Sequence, residues 1–330
     1  MSDPRHQIIL DCDPGIDDAM ALYLALAHPA IALLGITTTF GNVAAPQALR
    51  NALYLCHLAG RTVPVAEGVY TPARKAPVQP DTELHGRDGL GDLPERQRDG
   101  RGPDERSAAR LIVDLAHAHA GELTLLTTGP LGNLSQALRL EPRLPQLLKR
   151  VVVVGGSITA PGTVSPVAEA NIWHDPHAAD QILTAGFPLT LLPLDVTQQL
   201  ALPLALLERV AAHHGHPATD TLRHAARFSA AAWAPLEPAL AAQQACPGGD
   251  LLGLVYLLQP TLFTTRAGRV RVATDGLAQG QTLMDRREHL SYPQPGWEEQ
   301  VSRIQVALQV DAAACLALVE QTLLRDWLPA

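Results

Sequence analysis

Lysine is almost missing from this chain: Lys75 and Lys149 are the only two in 330 residues, and arginine carries nearly all the positive charge. Acidic residues outnumber basic ones 33 to 25, so the formal charge is −8. The isoelectric point lies near 5.9. A chain of that balance has no broad basic field, which excludes the phosphate attraction that nucleic-acid binding rests on. Cysteine is also sparse. Cys12, Cys56, Cys246 and Cys315 stand far apart with no Cys-x-x-Cys spacing, so neither a disulfide framework nor a zinc site is expected. No uninterrupted apolar run reaches membrane-spanning length, and "MSDPRHQ" at the start is too polar for a signal peptide. The expectation is a cytoplasmic protein with no membrane partner.

What the chain does have is a regular alternation. "QIILDCD" (7–13), "IALLGITTTF" (31–40), "ELTLLTT" (122–128), "RVVVVGG" (150–156) and "PLTLLPLD" (188–195) are continuous apolar runs. Such runs fit strands buried on both faces, as in a mainly parallel sheet. Between them, 17–28, 44–60, 105–121 and 131–140 carry helical periodicity. The order implies an α/β, doubly wound, Rossmann-like fold with helices on both faces. No internal repeat or linker divides it, so one domain over 1–330 is expected. Residues 70–104, rich in Pro, Gly, Asp and Arg, interrupt the pattern and suggest a loop that closes over a substrate. An Ala-rich helical zone at 203–245 carries His213, His214, His216 and His224.

The most unusual stretch is "IILDCDPGIDDAMAL" (8–22). Asp11, Asp13, Asp17 and Asp18 fall at the C-terminal end of a strand, where ligands bind in open α/β sheets. One of them can cap the following helix. Four crowded carboxylates instead suggest an oxygen cage for a hard divalent cation. An EF-hand loop is excluded, because its required Gly and Glu positions hold Ile16 and Leu22. Asp11-Cys12-Asp13 also imitates the haloacid-dehalogenase type of phosphatase. Ser157 would supply that family's hydroxyl, but the two lysines are badly placed for it.

"DCDPGIDDAMAL" closely resembles the N-terminal signature of the inosine–uridine type nucleoside hydrolases. The resemblance continues in order through "TTTFGNV" (37–43), "ELHGRDGLGD" (83–92), "LLTTGPLGNLSQAL" (125–138), "VVVVGGSITAPGTVSPVAEANIWHDPHAA" (151–179) and "GGDLLGLVYLLQPTLF" (248–263). Six ordered blocks are far more specific than any single motif.

The resemblance implies Ca²⁺-dependent hydrolysis of the N-ribosyl bond of ribonucleosides, and commonly a homodimer or homotetramer. By position, Asp13, Asp18, the backbone carbonyl of Thr128 and Asp250 would hold the cation, with Asp13 as the base that activates water. Asp17, Asn171 and Asp250 would grip the ribose hydroxyls, Asn42 would lie near the water, and Glu169 near the 5′ end. His85 would contact the leaving base. Read without the family, Asn42 and Asn171 are turn residues, Glu169 an exposed loop acid and Asp250 a helix cap. Phe228 and Trp233 either stack on a base or pack in the core.

The departures from the family pattern surround the substrate. The histidine that precedes the C-terminal aspartate in many members, and helps protonate the base, is Gly249. An asparagine that contacts the 5′ hydroxyl is Thr163, and the methionine before the glycine pair is Val154. These changes point to an altered base, a 5′-substituted ribose, or a low-activity ribose and calcium binder.

Overall fold

The computed structural model describes residues 6–77, 79–94, 102–293, 296–298 and 301–329. Its strands are β1 (His6–Cys12), β2 (Ile31–Thr38), β3 (Val65–Glu67), β4 (Thr124–Thr127), β5 (Arg150–Val154), β6 (Leu189–Leu192), β7 (Ala201–Pro203), β8 (Ala245–Pro247), β9 (Phe263–Val272), β10 (Thr282–Met284) and β11 (Arg303–Val310). Nine of them form one sheet in the order β10-β9-β11-β6-β5-β4-β1-β2-β3. From β3 to β11 all neighbours run parallel, while β9 and β10 add an antiparallel edge. β7 and β8 pair separately, antiparallel.

The continuous apolar runs are explained by cover on both faces. Ile8, Leu10 and Cys12 of β1 point into one buried cluster, with the helices Ile16–Ala27, Leu251–Leu258 and Ala312–Leu323. Ile9 points into the other, with the helices Ala108–Ala118, Gly132–Leu140 and Pro176–Thr184. The strand order reverses between β1 and β4, so their helices lie on opposite faces and their C-terminal ends open a crevice. Asp13 follows β1 and Thr128 follows β4, which places both at its mouth.

The expected elements are present with ends shifted by a few residues, the parallel sheet included. The antiparallel edge was not anticipated. Strand β9 alternates buried and exposed positions and carries Arg266, Arg269 and Arg271, so it lacks the continuous apolarity used to find the others. The 203–245 zone resolves into the helices Leu204–His214, Pro217–Trp233 and Pro238–Gln243. No helix among the described residues is long and apolar enough to cross a membrane.

Of the 70–104 stretch, residues 78 and 95–101 lie outside the described residues. The segment after His85 is tied down. The Asp88 carboxylate accepts the amides of Leu90, Asp92 and Leu93 at 2.8, 2.9 and 2.9 Å, and the Asp88 carbonyl accepts Asn51 Nδ2 at 3.0 Å. Leu90 is fully buried.

The helix that carries Asp250 at its start lies directly on the sheet. A Cβ on Gly253 would come within 2.5 Å of Leu126 Cδ1 and 3.0 Å of Val154 Cγ2. Gly253→Leu should cost about 1–3 kcal/mol through overpacking. The checks are a lower urea midpoint and, because Asp250 moves with the helix, weaker divalent-cation retention than wild type.

Candidate active site

The acidic cluster is built by a strand end, a tight turn and a helix start. β1 ends at Cys12, Asp13-Pro14 turns the chain, and the helix Ile16–Ala27 begins at once. The turn leaves no room at Gly15, where a Cβ would fall 2.5 Å from His85 Nδ1 and 2.9 Å from Asn42 Nδ2. Gly41 is tighter still: its φ is +155°, and a Cβ would lie 1.8 Å from Asp13 Oδ2. The backbone must pass this close for the Asn42 amide to donate to that oxygen, at 2.7 Å.

Each carboxylate is partly satisfied. Asp18 accepts Thr128 Oγ1 at 2.7 Å, Asn42 Nδ2 at 2.9 Å and the Gly15 amide at 3.1 Å. Asp11, behind them, accepts Thr37 Oγ1 at 2.6 Å and Asn133 Nδ2 at 2.7 Å. Yet Asp11 Oδ2, Asp13 Oδ1 and Asp17 Oδ1 are buried with no hydrogen-bond partner. Burial pushes Asp11 up to about 7 and, with the Asp17 charge, Asp18 up to about 6. Burial also raises Asp17. Asp13 and Asp250 are driven well above the ordinary carboxylate range by burial and then by their acidic neighbours.

Asp17, Asp18 and Asp250 place oxygens within 4.8 Å of one another. Orphaned buried oxygens beside an all-oxygen donor set are what a hard cation satisfies. The residues therefore fit a metal ion. The geometric trio contains Asp17, expected on the ribose, and not Asp13, expected as a ligand. Asp250 sits at the start of its helix but makes no side-chain cap bond, so capping does not account for it.

A cleft of about 960 Å³ opens beside the trio. Asp17, Asn42, His85, Thr128, Thr163, Glu169, Asn171, Gly249 and Asp250 all line it, although they come from distant parts of the chain. Asp13 and Asp18 lie beneath, with 0% and 1% exposure. Glu169 is buried, contrary to the loop-acid reading. Its carboxylate accepts the amides of Gly156, Asn171 and Ile172 at 2.7, 2.9 and 3.2 Å and caps the helix Ala170–His174. Burial raises its pKa. Asn171 Nδ2 donates to the carbonyls of Thr128 and Val154, at 2.8 and 3.1 Å. His85 Nδ1 accepts the Ile16 amide at 3.2 Å, and burial lowers its pKa.

The histidines of the second helical zone stay out of the cleft. His214 Nε2 bonds the Leu323 carbonyl, His224 Nε2 the Gly91 carbonyl, and His216 caps its own helix. His213 faces Asp326 at 3.9 Å. Phe228 packs against the core, whereas Trp233 lines the cleft. The hydroxyl of Ser157 is held by the Ala160 carbonyl. Neither Ser157 nor a lysine is among the residues lining the cleft, so the phosphatase constellation is not assembled.

Sequence reasoning overlooked Trp173, His174 and the Thr197–Gln199 segment, all on the cleft wall. The last follows the end of β6, and strand ends on this side of the sheet were the available signal.

With this geometry in hand, comparison with known proteins is decisive. The model of the "Inosine-uridine preferring nucleoside hydrolase" family matches residues 8–317. The chain belongs to that family. Uridine nucleosidase 1 of Arabidopsis thaliana is 36% identical over 332 residues, covering 97% of this chain and 94% of its own. A plant nucleoside hydrolase structure superposes with a TM-score of 0.90 at 31% identity, over 97% of this chain and 99% of that one. A purine-preferring ribonucleoside hydrolase from Gardnerella vaginalis gives a TM-score of 0.87, also at 31% identity, over 96% and 98%.

Within this nucleoside hydrolase family member, His174 offers a test of the cleft floor. It is 8% exposed, meets Phe40 edge-on, and is pushed down to about 4 by burial and by Lys75. A depressed histidine stabilises fully above its unfolded value near 6.5, and that contribution is lost as pH falls toward 4. Its upper bound is roughly 3 kcal/mol. The urea-midpoint difference between wild type and His174→Gln should therefore shrink as pH falls from 6.5 to 4.

Proposed function

We propose that this protein is a calcium-dependent ribonucleoside hydrolase, cleaving the N-glycosidic bond to give ribose and free base. One observation carries the reading. Residues from five separate segments, Asp17, Asn42, Thr128, Asn171 and Asp250, converge on one cleft directly above buried carboxylates that lack partners.

Asp13, Asp18, the Thr128 carbonyl and Asp250 would hold a Ca²⁺, which supplies positive charge that offsets the carboxylates and acidifies water. The Thr128 carbonyl already accepts Asn171 Nδ2, and its second lone pair remains for this role. Asp13 is the base. One of its oxygens is fixed by the Asn42 amide and the other has no protein partner, so the second is placed to take a proton from water. Asn171 spends its amide hydrogens on two carbonyls, leaving Oδ1 to accept from a ribose hydroxyl. Asp17 faces the same sugar from the helix start. The carboxylates around the ring stabilise the positive charge that develops in an oxocarbenium-like transition state. His85, with Nδ1 taken by Ile16, contacts the base through Nε2–H.

A 5′-substituted ribose is a second reading, favoured by two observations. Thr163 stands exposed on the cleft rim, and the Glu169 oxygens are committed to three backbone amides. The 5′ hydroxyl thus meets little dedicated recognition. A 5′-deoxy nucleoside should then react within about tenfold of its parent, since a lost dedicated hydrogen bond would cost about that much or more.

The main reading is tested by following reducing sugar released from a panel of purine and pyrimidine ribonucleosides, with uridine first. Ribose should appear with at least one of them, and release from none would remove the assignment. Asp13→Ala should lower kcat by about 10²–10⁴, the range of a lost general base. Elemental analysis of purified protein should find calcium at about one per chain, and chelation should abolish turnover.

A further inference from the structure

Among the described residues that line the cleft, no imidazole stands beside Asp250 to protonate a departing base. Gly249 has no side chain, and what fills its place is Thr197, whose Cβ would lie 3.1 Å from a Cβ added at 249. The lining from the neighbouring segments includes Gln198, Gln199, Ser229, Trp233 and Gln243: amides, a hydroxyl and an indole, none of which gives up a proton near neutral pH. Two imidazoles are among the described residues lining the cleft. His85 accepts the Ile16 amide at Nδ1 and so offers the base only the Nε2–H of a neutral ring, a hydrogen bond and not a proton. His174 packs edge-on to Phe40.

The charge of the cleft points the same way. Asp17, Asp81, Glu83, Glu169, Glu237 and Asp250 line it, and among the described residues no lysine or arginine does. A cation offsets the carboxylates at the floor, but Asp81, Glu83 and Glu237 stand out on the rim. The whole chain carries −8. Trp233 adds an electron-rich face, which attracts cationic rings, whereas the Trp173 ring already carries Lys75 Nζ, 2.8 Å from its centroid.

We infer that the cleft selects N-ribosides whose base already bears a positive charge, such as N7-alkylpurinium or N-alkylpyridinium ribosides. This rests on the N-riboside reading above. A neutral base departs as an anion unless it receives a proton. A cationic base departs neutral: the C1′–N bond breaks, its electron pair cancels the charge on the ring, and water adds its oxygen to C1′. The proton of that water goes to Asp13 and then to solvent. Riboside cation plus water gives ribose, neutral base and H⁺, with no acid required from the protein. The acidic rim draws the cation in, and Thr197 with Gly249 shapes the place where the ring lies.

The test compares inosine with N7-methylinosine at a mildly acidic pH that keeps the N1–H of the methylated base, where the two differ by one methyl group and one charge. On wild type, kcat/KM for the cation should exceed that for inosine by about 10²-fold or more, the size of a missing general acid. Raising ionic strength should lower the cation's kcat/KM and leave that of inosine flat, as expected for steering between screened charges. Thr197→Gly with Gly249→His places an imidazole on the wall, and the cation-to-neutral ratio should contract by at least about tenfold. Equal rates for the two substrates on wild type would overturn the inference. So would a ratio unchanged in a folded double variant, and both wild-type readings stand if that variant does not fold. If ribose appears neither from these two substrates nor from any neutral nucleoside, the N-riboside reading itself is overturned instead.

Discussion

Everything in the site depends on keeping several carboxylates buried side by side. Desolvation and mutual repulsion both oppose this, and the fold answers with a dense set of neutral donors. Asn42, Thr128, Thr37 and Asn133 hold Asp13, Asp18 and Asp11 in fixed orientations. They do not satisfy every oxygen, and the orphaned ones mark where positive charge belongs. The topology makes this possible. The reversal of strand order between β1 and β4 leaves their ends uncovered by a crossover helix, so polar groups can gather there without cutting through either hydrophobic cluster.

Most of the fold was legible because its strands are buried on both faces, which writes them as unbroken apolar runs. The antiparallel edge was not, because β9 faces solvent at alternate positions and its arginines hide the pattern. The candidate site divides the same way. Asp13, Asp17, Asp18, Asn42, Asn171 and Asp250 were expected at the site because they lie in the blocks that resemble the family, and they line the cleft or lie buried beneath it. His174 and Thr197 were missed because their place on the cleft depends on which neighbours pack around them. His213, His214, His216 and His224 show the reverse error: four histidines in one zone attract attention, yet each is spent on a carbonyl, a cap or a surface acid. Glu169 was legible in position but not in kind. It serves first as a helix cap and as a clamp on the Gly155-Gly156 turn.

The two halves of the cleft obey different physics. Around the acids, most polar atoms are committed at hydrogen-bond distance while Asp11 Oδ2, Asp13 Oδ1 and Asp17 Oδ1 are not, and the role of each residue follows from what remains unpaired. Along the Thr197, Ser229 and Trp233 wall the groups are neutral and few are locked. Under the cationic-base proposal, selectivity there rests on charge at the rim, on ring stacking and on what the leaving base needs for its departure. A substrate that brings its own positive charge meets the demands of both halves.

Gly41 and Gly249 show what this division means for redesign. At Gly41 any side chain would occupy the space of an Asp13 oxygen, so the position admits only glycine while Asp13 keeps its place. At Gly249 the tightest contact of an added Cβ is Thr197 Cβ at 3.1 Å, with the Thr197 carbonyl oxygen at an ordinary 3.4 Å, so shortening Thr197 opens the space. The base-facing side can therefore be rebuilt by substitution without disturbing the backbone that holds Asp13.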